Sequence, residues 1–232
     1  MTNTKTLETG RTPRRSTTEI PILEPEEVDQ ILSKSVCSRD ACLVALLYLI
    51  GRRIGEVVPL RLGDFVTSNP RVITVKTFNE KSFRQTRVGR YNVIKHGNYK
   101  MKKKDGTIVN YDTRYYEAIE PSFSTQGPSG KRLGHYVTNY LFLLKYDGGD
   151  YLFPPYRRSS RDYINQPRAY QIIRALDERL WLHAMRHMDF TRMARVYRKN
   201  PVAMHRLTFH KRFESTLEYI KEEEKGDKLA KL

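Results

Sequence analysis

Residues 183–187 read HAMRH, inside the longer run LWLHAMRHMDFTRMARV. Two histidines four apart share a helix face, the spacing used by helical zinc sites. A hydrolytic zinc centre of that kind needs a carboxylate just after the first histidine as general base, and this chain has Ala184 there. Arg186 adds a permanent positive charge beside the second histidine, which repels a divalent cation. A ligand other than a metal therefore suits the pattern better. At about 100° per residue, His183, Arg186 and His187 share one arc of their helix, opposite Trp181, Met185 and Met188, which read as core. His187 is read as a structural hydrogen-bonding histidine. No metal ion is expected.

The whole chain is strongly basic. Its 232 residues hold 42 Lys and Arg against 26 Asp and Glu, a formal net charge of +16. An excess of this size favours a polyanionic partner, nucleic acid first. A membrane partner is not expected, because no apolar run reaches the roughly 18 residues of a spanning helix. The longest, ACLVALLYLIG at 41–51, reads as a buried helix, and the opening MTNTKTLETGRTPRR has no apolar segment of a secretion signal. Cys37 and Cys42 are too few for a disulfide framework, which points to the cytoplasm. The segment GPSGK lacks both the first glycine and the hydroxyl residue of a phosphate-binding loop, so no nucleotide cofactor is expected.

The elements that must position these residues follow from periodicity. Residues 1–19 read as a basic flexible tail. Glu24, Pro25, Glu26 and Glu27 put proline and negative charge where a helix start favours them. The apolar helix ends at Gly51, and Arg52 to Val57 lead into a short helix closing near Leu62. Alternation in VITVKTF and SFRQTRV predicts a β-hairpin turning at 79–81, and residues 95–120 read as a second, inserted hairpin with a Lys-Asp-Gly turn. From Leu133 the pattern is helical, and 221–232 reads as a charged tail. The fold class is α+β, mostly helical, with a small antiparallel sheet near the first third.

Read in order, LIGRRIGEVVPLRLGDF, then His183-x-x-Arg186, then His210, Thr216 and Tyr219 resemble the catalytic signature of the tyrosine recombinases, the phage integrase family. YLFPP resembles that family's Leu-Phe-Pro segment, and the likeness runs from about Ile20 to Tyr219. The resemblance implies a catalytic-domain helical bundle over 20–220. It implies Arg53, Lys76, His183, Arg186, His210 and Tyr219 as catalytic residues, with Lys81 as the alternative lysine and Glu56 orienting Arg53. The implied reaction moves a DNA phosphodiester onto the tyrosine and back, with no cofactor and no metal. Double-stranded DNA is the implied partner, gripped further by Arg52, Arg84, Arg87 and Lys102, Lys103 and Lys104. Family members usually act as tetramers, with accessory proteins in some cases, and the segment after Tyr219 would dock on a neighbouring copy.

Two departures stand out. Phe209 occupies the place where the family usually has glycine, and the separate helical domain that commonly precedes the catalytic part is not evident. A minimal enzyme, a fragment, or a protein helped onto its site are the resulting expectations. The rival readings are a non-catalytic DNA-binding protein on the same fold, and a type IB topoisomerase or telomere resolvase working on one duplex.

Overall fold

A computed structural model describes residues 22–84, 93–95, 99–102, 108–111, 115–148, 150–156, 162–210 and 212–229. Its elements run α1 (Pro25–Leu32), α2 (Ser38–Ile50) and α3 (Ile54–Val57), followed by a 3-10 turn at Leu62–Asp64. Eight strands come next: β1 (Phe65–Asn69), β2 (Val72–Val75), β3 (Thr77–Arg84), β4 (Val93–Lys95), β5 (Tyr99–Lys102), β6 (Ile108–Tyr111), β7 (Tyr115–Ile119) and β8 (Ser122–Ser124). The chain closes with α4 (Pro128–Tyr146), α5 (Gln166–Leu176), α6 (Leu182–Tyr197), α7 (Pro201–Thr208) and α8 (Glu214–Leu229).

The helix α2 organises the rest. Every residue from Ala41 to Ile50 is buried. A helix with no polar face must be wrapped on all sides, and α4 and α6 pack along it while α1, α3 and α5 close around it. It stops at Gly51, in the left-handed conformation with φ 56° and ψ 28°. Glycine is required there twice over: side chains rarely adopt that φ, and a Cβ would lie 2.0 Å from Asp189 Oδ2 of α6. The α1 start matches its sequence reading, with Pro25 in the first turn and the Glu24 N–H donating to Glu27 at 3.0 Å.

The strands differ from the sequence reading. No hairpin turns at 79–81, because β3 continues through those residues and pairs with β7, with an irregularity in register between Asn79 and Arg84. The reversal lies earlier, between β1 and β2. At Asn69-Pro70-Arg71 the asparagine Oδ1 accepts the Arg71 N–H at 2.9 Å, a side-chain mimic of a backbone turn that Asn-Glu-Lys with neither Gly nor Pro cannot match as well. Among the described residues the strands form three antiparallel groups, β1-β2-β8, β3-β7-β4 and the pair β5-β6. The short helix also ends earlier than expected, at Val57, with the separate turn at Leu62–Asp64 after it.

Two helices are longer than their periodicity implied. α4 begins at Pro128 instead of Leu133, with proline in its first turn. Gly130 of GPSGK serves packing: a Cβ there would sit 1.7 Å from the Ser124 carbonyl, so only glycine lets α4 cross the end of β8 so closely. α8 continues to Leu229, through most of the segment expected as a tail from 221. Residues 1–19 lie outside the described residues.

Two apolar clusters result. The larger is built on α2 and includes Ala184, Met185 and Met188 of α6. The smaller joins Phe190 and Ala194 of α6 to Met204 of α7 and Ile220 of α8. One helix therefore belongs to both cores. Trp181 packs against the larger and Tyr197 against the smaller. No described helix is long and apolar enough to cross a membrane.

Candidate active site

The turn after α2 presents two consecutive arginines, and one carboxylate holds both. Glu56 is 0% exposed. Its oxygens accept Arg52 Nε at 2.8 Å, Arg53 Nη1 at 3.1 Å and the Arg53 backbone N–H at 3.2 Å. Because Glu56 is the third residue of α3, reaching back to the N–H before the helix also caps it. The Arg53 side chain keeps 25% of its surface open, whereas Arg52 as a residue is 2% exposed. Arg52 was expected to touch DNA. It cannot, because its guanidinium points inward, with Nη1 and Nη2 lacking hydrogen-bond partners.

Arg186, about one turn into α6, meets this corner from the other side. It is 7% exposed, and its Nη1 donates to the Gly51 carbonyl at 2.6 Å. Burial and the charges of Arg52 and Arg53 lower its pKa to about 9. A guanidinium held among like charges gains from any anion brought to it. Asp189, one turn further on, is fully buried beside Gly51, binds Arg192 at 2.5 Å and leaves Oδ2 without a partner.

Phe190 supplies the platform that gathers the remaining groups. The Arg186 guanidinium carbon lies 4.3 Å from its ring centre. The ring of His210 meets it edge-on at 4.5 Å and that of Tyr219 at 5.4 Å. His210 and Tyr219 stack at 6.0 Å with planes 17° apart, and His187 adds a tilted contact to Tyr219 at 5.1 Å. His187 Nδ1 lies 3.3 Å from Thr191 Oγ1. His210 is held neutral: burial first, then Arg186, His205, Arg53 and Arg52, push its pKa down to about 4.

The backbone under His210 is unusual. Phe209 ends α7 with φ 52° and ψ 33°, the left-handed region that costs an L residue roughly 1–2 kcal/mol. Its ring lies 5.3 Å from the buried Arg52 guanidinium, a cation–π contact worth roughly 0.5–2 kcal/mol. The aromatic side chain thus offsets the strain that glycine would avoid.

Arg53, Arg186, His210 and Tyr219 are brought together from four segments. Lys76 stands apart. It is exposed in the link between β2 and β3, where its N–H donates to the Asp64 carbonyl at 2.8 Å and its charge acts on the Asp64 carboxylate. His183 is the second residue of α6, Arg84 the last of β3 and Lys102 the last of β5. Arg87, Lys103 and Lys104 lie outside the described residues, as do the side chains of His183, Arg84, Lys81 and Lys102. Among the described residues no cluster of His, Cys, Asp and Glu could hold a metal ion. Phe190 and Asp189 were not singled out from sequence, although Phe190 follows Arg186 by one helical turn, the spacing at which side chains meet. Two guanidiniums, a neutral imidazole and a phenol facing one place can bind a tetrahedral oxyanion beside a nucleophile.

The model of the phage integrase family matches residues 21–225. The chain belongs to the phage integrase family. Solved structures resemble it in fold. The pre-cleavage complex of the XerH site-specific recombinase bound to difH substrate aligns with TM-score 0.53 and 14% identity, over 86% of this chain and 50% of that one. The post-cleavage XerH complex with palindromic difH gives TM-score 0.55 at 13% identity, over 89% and 50%. This phage integrase family chain therefore spans about half the length of those recombinases. No curated protein matches its sequence.

Two predictions follow from the charges. Glu56→Ala strands two guanidiniums, one wholly buried, and should cost about 3–5 kcal/mol in urea unfolding. Arg52→Leu removes an incompletely bonded buried charge while Arg53 keeps Glu56 paired, so it should cost less than about 1 kcal/mol or even stabilise. Equal losses would show that Arg52 is as well compensated as Glu56.

The second concerns acid. Folded His210, at about 4, refuses a proton that the unfolded residue takes up near its ordinary 6.5. Its contribution is complete above that value and is lost as pH falls. Burial raises Asp189 from 3.8 to about 6, against the pull of Arg192 and Arg186, so its contribution is complete below 3.8 and is lost as pH rises through 6. Between these limits the two slopes cancel. Asp189→Asn should uncover the histidine, and unfolding free energy should then rise by about 1.4 kcal/mol per pH unit between about pH 4.5 and 6. A flat profile in the variant would contradict the His210 shift, and a rising one in wild type the Asp189 shift.

Proposed function

We propose that this chain is the catalytic part of a tyrosine recombinase that cuts and rejoins DNA at specific sites. The observation that carries the reading is the meeting of Arg53, Arg186, His210 and Tyr219 round one place in a chain of net charge +16. In the reaction, the Tyr219 hydroxyl oxygen attacks phosphorus and the bond to the 5′ oxygen breaks, leaving a 3′-phosphotyrosine. The phosphodiester bond energy is kept, so the reverse attack by a 5′ hydroxyl rejoins the strand. Negative charge grows on the non-bridging oxygens as the tyrosine adds. Arg53 and Arg186 donate to them in pairs, and His210 Nε2–H adds a third donor. His183 assists removal of the tyrosine proton, and Lys76 gives the departing 5′ oxygen its proton.

Lys76 lies in an exposed link and reaches the scissile bond only once DNA is bound, in this reading. Arg84, Arg87 and Lys102, Lys103 and Lys104 are assigned to the DNA backbone; Arg52 is not. The partner is double-stranded DNA, the working state a tetramer on two duplexes, with the end of α8 docking on a neighbour and accessory DNA-binding proteins assisting. The reaction belongs in the cytoplasm, on nucleoid or host DNA.

A nicked duplex that traps the cleaved strand tests the nucleophile. Wild type should form a 3′-linked protein–DNA adduct, and Tyr219→Phe none; an adduct in that variant would remove Tyr219 from its role. Arg186→Ala should slow adduct formation by roughly 100-fold or more. The lysine has its own test. Replacing the bridging 5′ oxygen by sulfur gives a leaving group that departs without a proton, so Lys76→Ala should be slow on the oxygen substrate and near wild type on the sulfur one. Equal defects on both would mean that Lys76 is not the acid.

A further inference from the structure

Thr216 stands in the first turn of α8 and is fully buried. Its Oγ1 lies 3.0 Å from His205 Nδ1 of α7 and 3.1 Å from His210 Nδ1. Thr208 Oγ1 is 3.4 Å away and donates its own hydrogen to the His205 carbonyl at 3.2 Å, so toward Thr216 it can only accept. One hydroxyl therefore sits between two imidazole nitrogens. It has a single hydrogen and two lone pairs. Only one nitrogen can accept its hydrogen, and the other must then donate to it; if both donated, the hydroxyl hydrogen would go to Thr208 Oγ1 instead.

The proposed reaction decides the direction, and the inference rests on that reading. For Nε2 of His210 to donate to a phosphate oxygen while the ring is neutral, its Nδ1 must carry the lone pair. Thr216 O–H then donates to His210 Nδ1, and its oxygen must receive the Nδ1–H of His205. We propose that His205 is a positioning residue, acting through Thr216 to hold His210 in the Nε2–H tautomer that the phosphate requires. The chain runs one way: His205 Nδ1–H to Thr216 Oγ1, Thr216 O–H to His210 Nδ1, His210 Nε2–H to the phosphate. Each bond polarises the next.

The surroundings keep the donor in place. The His205 ring meets Phe213 edge-on at 5.2 Å, and the His210 ring is held edge-on to Phe190 at 4.5 Å. Neither ring needs to turn for the chain to form. In the opposite tautomer His210 would offer its Nε2 lone pair to a phosphate oxygen, and the contact would repel. The ring would remain in place and the donor would be lost.

The test combines the adduct assay with nitrogen-15 NMR of the imidazoles in the full chain without DNA. In wild type, His210 should show an unprotonated Nδ1 and a protonated Nε2. Thr216→Val should shift His210 toward a mixture of tautomers and slow adduct formation about 10-fold or more, while Thr216→Ser keeps both properties. His205→Asn retains a donor N–H near the Nδ1 position and should stay within a few-fold of wild type. His205→Phe should match the Thr216→Val defect, and the double variant should lose no more than either alone. The His205 pair keeps the test independent of whether Thr216→Val folds. A protonated Nδ1 on wild-type His210, or wild-type rates in His205→Phe, would overturn the inference. Absence of any adduct in wild type would instead remove the proposed function, while the NMR result would still report which way the hydroxyl points.

Discussion

Four guanidiniums share two buried carboxylates at the centre of this protein, and much of the site is a consequence. Arg52 and Arg53 lie on Glu56, Arg192 lies on Asp189, and Arg186 donates to the Gly51 carbonyl and lies over the Phe190 ring. Charges so close and so dry repel one another more strongly than they would in water. The arrangement persists because α2 and its neighbours form a core large enough to hold it. Four positive charges against two negative leave an excess of two, and the single negative charge of a phosphodiester among Arg53, Arg186 and His210 would offset half of it.

The second constraint is that α6 is built into both apolar clusters. Met185 and Met188 tie it to α2, while Phe190 and Ala194 tie it to α7 and α8. Arg186 stands between the two sets, so its position depends on both cores being packed. Phe190 converts this packing into site geometry, since the same ring touches Arg186, His210 and Tyr219. The α7–α8 corner adds its own constraint through the left-handed Phe209, which fixes the direction in which the chain leaves α7 just before His210.

How legible this was in the sequence varied by segment. The apolar run at 41–51 has no polar face, so its burial could be read directly, and the Gly51 stop with it. The arginine, histidine and tyrosine positions were legible because their order along the chain resembles a known signature. The strands were harder. Alternation in SFRQTRV and VITVKTF says that each is extended, but not what pairs with it, and β3 finds its partner in β7 across a long intervening segment. Arg52 was misread for a related reason: two adjacent arginines look alike as letters, yet Glu56 and the core turn one inward and leave the other open.

By itself the sequence determined the helical core and the family that its residue order resembles. Local rules suffice for these, because periodicity, net charge and residue order are properties of the chain. Tertiary structure alone decided which arginine is buried, that Phe209 takes a conformation usually left to glycine, and that one threonine hydroxyl lies between two histidines. Those depend on side chains from distant segments meeting at a few ångströms, where one carboxylate, one ring or one hydrogen must serve several neighbours at once.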